Sequence, residues 1–579
     1  MSKVKKGYKL PVNPENKQGA IAHGFVTPVQ DRNPQIFSIP PKRVLPIIFI
    51  PGIMGSNLRM SGARQNKLRH ENNIAWRPDN ASVTLQQFND TPIERQLRLD
   101  PETTEVDSYD PVNNKTGDLE ETSYARNSKV IYSSGYRGWS TLEGPLLQPD
   151  SPGTKNRRTQ HQKARERGWG EVYYGSYQSI LSICENKLNS AFADGIMDLY
   201  LRKHVVNVAP AKWQASPEPP MKELDEESMR TAVKGCWFPI HAMGYNWLKG
   251  NAESGVEIAN RIVKLINGYK DQGFQCEKVI LITHSMGGLV ARAAIHPQMG
   301  KVEDKVLGII HGVMPAIGAG AAYKRMRCGV ESSMMSPAEN IAAGVLGNNA
   351  EDVTAVLAGA QGALELLPCQ LYGNNWLQLK RDGKVIKSWP ETCSYEEIYK
   401  VTGKWFSLFK EKWINPAKIP GCEFSATVDL LDGAKRFHEQ ISSTYHNQSY
   451  AHYGADEERK AWHKVVWEAN EDSDISDAES LRIEADDKQG ALRLKDPTLA
   501  SKKTKWEDSI YIKMLGAAEP GDQTVPLYSA DAQLRSGKFK GIFRQRGYEH
   551  QASYNDRIVL ASTIYCLFKI ISSMKWSGK

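Results

Sequence analysis

No stretch of this 579-residue chain is long and apolar enough to cross a bilayer. The most apolar run near its end, Ile558 to Phe568, is 11 residues bounded by Arg557 and Lys569, whereas a spanning helix needs about 20. The chain is expected to be soluble, or to touch a membrane only peripherally. Equally missing is an apolar run behind the basic residues of MSKVKKGYKLPVNPENKQG, so no cleavable secretory signal is expected, and export would use another route. The eight cysteines (184, 236, 276, 328, 369, 393, 422 and 566) form no C-x-x-C pair and show no regular spacing. That argues against a zinc site or a disulfide framework and for small buried hydrophobes in a reducing cytoplasm. No metal and no cofactor is expected. Charge of one sign is also scarce: 74 Lys plus Arg against 66 Asp plus Glu leave +8. This is no nucleic-acid footprint and permits at most a weak attraction to anionic lipid. There is no internal repeat.

What is present is a core worth burying, with 40% of residues hydrophobic. Residues 1–43 are polar and proline-rich, and read as an N-terminal arm. Val44 to Ile50 (VLPIIFI) then reads as a strand buried on both faces, closed by the turn Pro51-Gly52. Lys278 to Thr283 (KVILIT) and Lys305 to His311 (KVLGIIH) repeat that pattern. Val256 to Tyr269 carries helical spacing between the first two. A strand, helix, strand alternation predicts an α/β fold with a mostly parallel sheet covered by helices. The expected division is a first core part over 44–310 with an insertion at about 60–235, a cap or helical region over 311–424, a charged insertion over 425–505, and a second core part over 506–579. Within the first insertion, Ser176 to Leu188 should form an amphipathic helix that packs.

The strand KVILIT runs directly into His284-Ser285-Met286-Gly287-Gly288 and then into the helix-patterned LVARAAI. Strand, sharp turn and helix are the setting of a nucleophile elbow, in which the serine sits strained and its close neighbours must be small. Gly287 meets that demand, whereas Thr283 stands where the usual pattern has glycine. A triad on this plan continues with an acid and then a histidine. Of 13 histidines only His550 lies beyond position 463, and it stands just before the final apolar helix. Asp522, in the Gly/Pro-bounded loop GDQTVP, lies 237 residues after Ser285 and 28 before His550, and follows the strand-like Ile510 to Leu515. Glu519 and Glu549 are the rival carboxylates. The oxyanion hole is expected from the backbone N–H of Met286 and from Ile53 or Met54 in the turn PGIMGS.

The motifs FIPGIMGSNLR (49–59), YNWLKGNAESG (245–255), THSMGGLVAR (283–292), GDQTVP (521–526) and YEHQASY (548–554) resemble the lecithin:cholesterol acyltransferase and PGAP1-like branch of α/β-hydrolases. They cover the core from 44 to about 310 and from 506 to 575. Within that branch the chain is similar to the antibacterial lipase effectors of type VI secretion, especially those with a large extra region before the last core segment. The resemblance implies the α/β-hydrolase fold, a triad of Ser285, Asp522 and His550, and a membrane phospholipid as substrate. It also implies a cognate immunity protein, a secretion-spike or adaptor partner, and delivery from the producing cytoplasm to the periplasm of a target cell.

A lipase or phospholipase acting through an acyl-enzyme is the reading these features favour. A lipid acyltransferase would share that intermediate and differ only in what attacks it, and a non-catalytic binding protein on the same fold is the third alternative. An aliphatic substrate needs an apolar wall that a soluble protein must hide. The small and apolar stretch Gly312 to Leu367, with Met334-Met335, Ile341 to Leu346 and Val353 to Ala358, is therefore a candidate cap over the serine, ordinary core helices being the competing reading.

Overall fold

The computed structural model describes residues 41–79, 81–107, 146, 147, 150, 157–193, 195–331, 337–471, 475–498 and 509–577, together with backbone strands at Val12–Asn13, Ala20–Phe25 and Pro34–Ile39. Six strands form the central sheet: β1 (Ile47–Ile50), β2 (Ile240–Ala242), β3 (Val279–His284), β4 (Val306–Gly312), β5 (Ser449–Gly454) and β6 (Phe539–Gln545), in the spatial order β2-β1-β3-β4-β5-β6. Every neighbouring pair is parallel. The apolar runs are continuous rather than alternating because both faces are covered. Successive side chains of a strand point to opposite faces. Ile48, Ile50, Val279 and Leu281 accordingly enter one core, while Ile47, Phe49, Ile280 and Ile282 enter the other.

Four long helices close these faces. α1 (Tyr174–Asn189) and, at the chain end, α7 (Arg557–Ile571) contribute Tyr177, Ile180, Ile564 and Leu567 to the second core. α2 (Asn251–Asp271) and α3 (Gly287–Ile295) contribute Ile258, Ile262, Leu289 and Val290 to the first. α2 and α3 meet closely at Gly255, where a Cβ would lie 2.5 Å from that of Ala293. The expected helix at 176–188 is thus present and packs directly on the sheet.

Several sequence expectations need revision. The segment 1–43, read as an arm, holds the three antiparallel strands named above, and its last residue, Arg43, pairs with Cys236 just as Val44 pairs with Trp237. The segment 425–505, read as a charged insertion, supplies strand β5 of the central sheet, whose sequence SYAHYG is buried throughout. Its letters concealed it, since SYAHYG holds no continuous aliphatic run. The strand expected at 510–515 exists as Ser509–Met514, but it lies in a second six-stranded sheet with 377–381, 384–389, 465–469, 482–486 and 491–495. The acid loop follows a different, short strand, Glu519–Gly521, paired antiparallel with Asp456–Ala461. The stretch 312–367 is helical, with α4 (Gly320–Cys328), α5 (Pro337–Leu346) and α6 (Ala350–Leu357). Met334 and Met335 fall outside the described residues, as do most of 148–156 and 499–505. No described helix is long and apolar enough to cross a membrane.

Candidate active site

β3 ends at His284, and the chain reverses at Ser285 with φ of 52° before α3 begins. A positive φ at a non-glycine residue is strained by the order of 1–3 kcal/mol and persists only where packing enforces it. Here the Ser285 N–H donates to Gly312 O at 2.8 Å. A Cβ at Gly287 would fall 2.4 Å from Pro51 O and 2.5 Å from Ile50 O, so the end of β1 excludes any larger residue there. Thr283 is tolerated where the common pattern has glycine because it is still within the strand, paired with Ile50 and His311.

The structure brings Ser285, His550 and Asp522 together. Ser285 Oγ lies 2.9 Å from His550 Nε2, and His550 Nδ1 lies 2.8 Å from Asp522 Oδ2. The other carboxylate oxygen accepts the N–H groups of Thr524 at 3.1 Å and Val525 at 2.7 Å. The His550 N–H donates back to Asp522 O at 2.9 Å, so acid loop and base loop are one unit. The three are 5%, 7% and 0% exposed, in the order serine, histidine, aspartate. The rival carboxylates are engaged differently: Glu519 accepts from the His463 N–H at 3.4 Å, and Glu549, although it lines the same cavity, accepts from the Gln551 N–H at 3.2 Å.

Ile53 and Met54 line the same cavity as Ser285, and Met286 stands at the N-terminus of α3. The turn is pinned by Trp76 Nε1 donating to Met54 O at 2.6 Å and by Tyr245 OH donating to Pro51 O at 3.0 Å. Among the described residues none accepts a hydrogen bond from the backbone N–H of Ile53, Met54 or Met286. Donors left open at a helix start and a tight turn suit a developing oxyanion.

Sequence reasoning missed a second layer. His284 Nε2 donates to His550 O at 3.0 Å, and its Nδ1 accepts from Tyr177 OH at 3.2 Å. Burial, reinforced by His550, drives the His284 imidazole well below its usual pKa, so it is neutral. The Tyr177 hydroxyl also accepts from the Gly52 N–H at 3.4 Å and from Gln551 Nε2 at 3.2 Å. Burial pushes its pKa up to about 12, which keeps it a donor. One phenol thus ties the turn at Gly52, the turn at Ser285 and the loop of His550 together. Nothing in the pattern YGSYQSIL marks Tyr177 beyond its helical spacing, whereas His284 and Gln551 sit beside Ser285 and His550 and were open to inspection.

The serine opens into a cavity of about 170 Å³ with mostly apolar walls, among them Trp76, Met326, Ile341, Leu346 and Leu366. Much of that wall comes from 319–366, within the stretch Gly312 to Leu367 read from sequence as a candidate cap.

Residues 240–338 match a PGAP1-like alpha/beta domain. A solved structure, "The crystal structure of Tle4-Tli4 complex", is similar over 92% of this chain and 99% of that chain, with 28% identity and a TM-score of 0.70. No curated protein sequence is a match. Both likenesses agree with the resemblance drawn from the sequence motifs. With its parallel sheet and its serine elbow at the end of β3, the chain carries a PGAP1-like alpha/beta domain and folds as an α/β-hydrolase.

Proposed function

We propose that the chain is a serine-dependent lipid ester hydrolase of the lipase or phospholipase type, with Ser285 as nucleophile, His550 as base and Asp522 as the acid that orients it. The observation that carries this reading is the continuous hydrogen-bonded line from Asp522 through His550 to Ser285, ending in an apolar cavity. Ser285 Oγ attacks the ester carbonyl while His550 Nε2 takes its proton. The carbonyl oxygen becomes an oxyanion held by the N–H groups of Met286 and of Ile53 or Met54. The C–O bond to the alcohol then breaks, His550 returns the proton to the leaving oxygen, and an acyl-serine remains. Water, deprotonated by the same imidazole, releases the fatty acid and restores the serine.

The likeness to the Tle4–Tli4 complex, together with the sequence motifs, supports a biological setting. In it the chain is a toxin effector exported by type VI secretion with the help of a spike or adaptor protein. It degrades membrane phospholipid from the periplasm of a target cell and is neutralised at home by an immunity protein.

Ser285→Ala is expected to lower fatty-acid release from phospholipid vesicles by several orders of magnitude at unchanged melting temperature. His550→Ala should be as severe and Asp522→Asn milder, because the acid orients and stabilises the imidazolium without exchanging a proton with substrate. A fluorophosphonate should label Ser285 in the wild-type chain. Near wild-type turnover in Ser285→Ala would remove this residue from the mechanism and leave the fold as a binding scaffold.

A further inference from the structure

The base of the proposed triad is held twice, once by its ring and once by its backbone. Asp522 takes the ring at Nδ1 and leaves Nε2 facing Ser285 Oγ. Where that ring stands depends on the backbone of residue 550, whose N–H donates to Asp522 O at 2.9 Å. This bond joins the base to the acid's own loop and fixes neither of them relative to the serine. The tie to the serine's turn comes from the residue before the nucleophile, since His284 Nε2 donates to His550 O at 3.0 Å. Tyr554, four residues on from the base, adds a second tie by donating its hydroxyl to Thr283 O at 2.9 Å.

The partners of His284 fix its protonation. A carbonyl oxygen can only accept, so the ring's proton sits on Nε2. The ring is 1% exposed and burial keeps it neutral, so Nδ1 is bare and accepts from the Tyr177 hydroxyl at 3.2 Å. A flipped ring would present C–H groups to both partners and lose both bonds. A neutral donor also suits the place. His550 becomes cationic when it takes the serine proton, the two rings are 5.1 Å apart between centres, and a cation at 284 would oppose that charge at short range. An imidazole supplies the N–H without the charge.

We propose that His284 is a positioning residue for the base: its Nε2–H fixes the backbone of residue 550 and so holds the His550 ring within reach of both Ser285 Oγ and the leaving oxygen. The proposal rests on the hydrolase reading and gives a role to a residue outside the triad. A displacement of the order of 1 Å in such a group costs about 100-fold in rate. His284 also lines the cavity, so the competing role is that of a wall against the substrate. The two roles differ in what they change, because positioning acts on the chemical step whatever the ester, whereas a wall acts on binding and depends on the shape of the ester.

Two amides separate the two ends of the ring. Glutamine at 284 reaches as far as Nε2 and keeps a donor toward His550 O, whereas asparagine reaches only as far as Nδ1 and keeps an acceptor toward Tyr177. The test measures kcat and KM for the wild-type chain, H284Q, H284N and H284F on p-nitrophenyl butyrate and on dioleoylphosphatidylcholine in detergent micelles, with circular dichroism and melting temperature as fold controls. H284F and H284N should lose about 10- to 100-fold in kcat and H284Q less than about 5-fold, with KM within about 2-fold and equal losses on the two esters. The two amides supply the answer should H284F fail to fold. An H284N that matches or exceeds H284Q overturns the proposal, because the bond to Tyr177 would then be the one that matters. A loss that falls on KM, or that differs between the two esters, overturns it in favour of a wall. A wild-type chain that hydrolyses neither ester removes the hydrolase reading itself, and the proposal with it, whereas one that hydrolyses both with kcat indifferent to residue 284 removes the proposal alone.

Discussion

At the scale of single residues, the site depends on a hydroxyl far from the motifs. Tyr177 OH donates to His284 Nδ1 and accepts from Gly52 and Gln551, so removing one oxygen loosens three loops together. It leaves the buried His284 Nδ1 without that donor, and such a loss costs about 1–3 kcal/mol. Tyr177→Phe should therefore lower kcat by roughly 10-fold, because the geometry between Ser285, His550 and the turn N–H groups loosens. KM should stay within about 2-fold, since the ring remains in the core and the apolar wall is untouched. Steady-state kinetics alongside thermal melting decides the matter. A fall in melting temperature with kcat intact would make Tyr177 a packing residue.

At the scale of elements, α2 is fastened to the polypeptide behind the cavity by a buried carboxylate. Glu365 Oε2 accepts the Asn251 N–H at 2.7 Å, at the start of α2, and Oε1 accepts from Gln361 Nε2 at 2.9 Å. Its neighbours Ala363 and Leu366 line the cavity. Burial raises this carboxyl from 4.5 to about 7, with the hydrogen bonds offsetting only part of that. A carboxyl raised on folding binds more protons folded than unfolded between those two values. Stability attributable to it is therefore present below pH 4.5 and lost as the pH climbs through 7. Glu365→Gln, which cannot titrate, should gain relative to wild type by roughly 1–3 kcal/mol between pH 5 and pH 8. Urea unfolding of both chains at the two pH values measures this. A constant difference would show that the carboxyl is no more protonated folded than unfolded.

At the scale of the whole molecule, the hydrolase sheet and the second sheet share one apolar core that includes Leu281, Leu377, Trp467 and Ile512. α4 contributes Tyr323 and Met326 to that core. At the margin of this core, which Val345 and Leu346 enter, α5 rests on residues near 88, where a Cβ at Gly344 would meet the Phe88 ring at 2.2 Å. Leu85 and Ile93 in the adjoining helices are 61% and 47% exposed. We propose that this outer layer is the part that shifts at a lipid surface. The rate of ester hydrolysis should then rise steeply as a short-chain phospholipid passes from monomers to micelles. A rate that follows concentration smoothly through that transition, with protease cleavage in 337–357 unaltered by vesicles, would make these helices fixed core.

The parallel sheet and the elbow were legible in the chain before folding, because both are written in short-range chemistry. Strands buried on both faces must be continuously apolar, as VLPIIFI, KVILIT and KVLGIIH are, and the turn at Ser285 needs Gly287 where β1 approaches. Position along the chain was enough to nominate His550 and Asp522. Features that depend on partners distant in sequence emerged only on folding. β5 is a core strand despite its polar letters, since His452 and Tyr453 are buried by neighbours that the local pattern does not reveal. The strand at 509–514 joined the second sheet because its hydrogen-bonding partners are Ala491–Lys495 and Trp467–Ala469 rather than the strands of the hydrolase core. Tyr177 reached the site from a helix read as part of an insertion, 107 residues before His284 and 374 before Gln551. Arg325 met the acid loop 199 residues on. Hydrogen bonds and ion pairs of this kind act over about 3 Å, and only the folded chain sets which groups come that close.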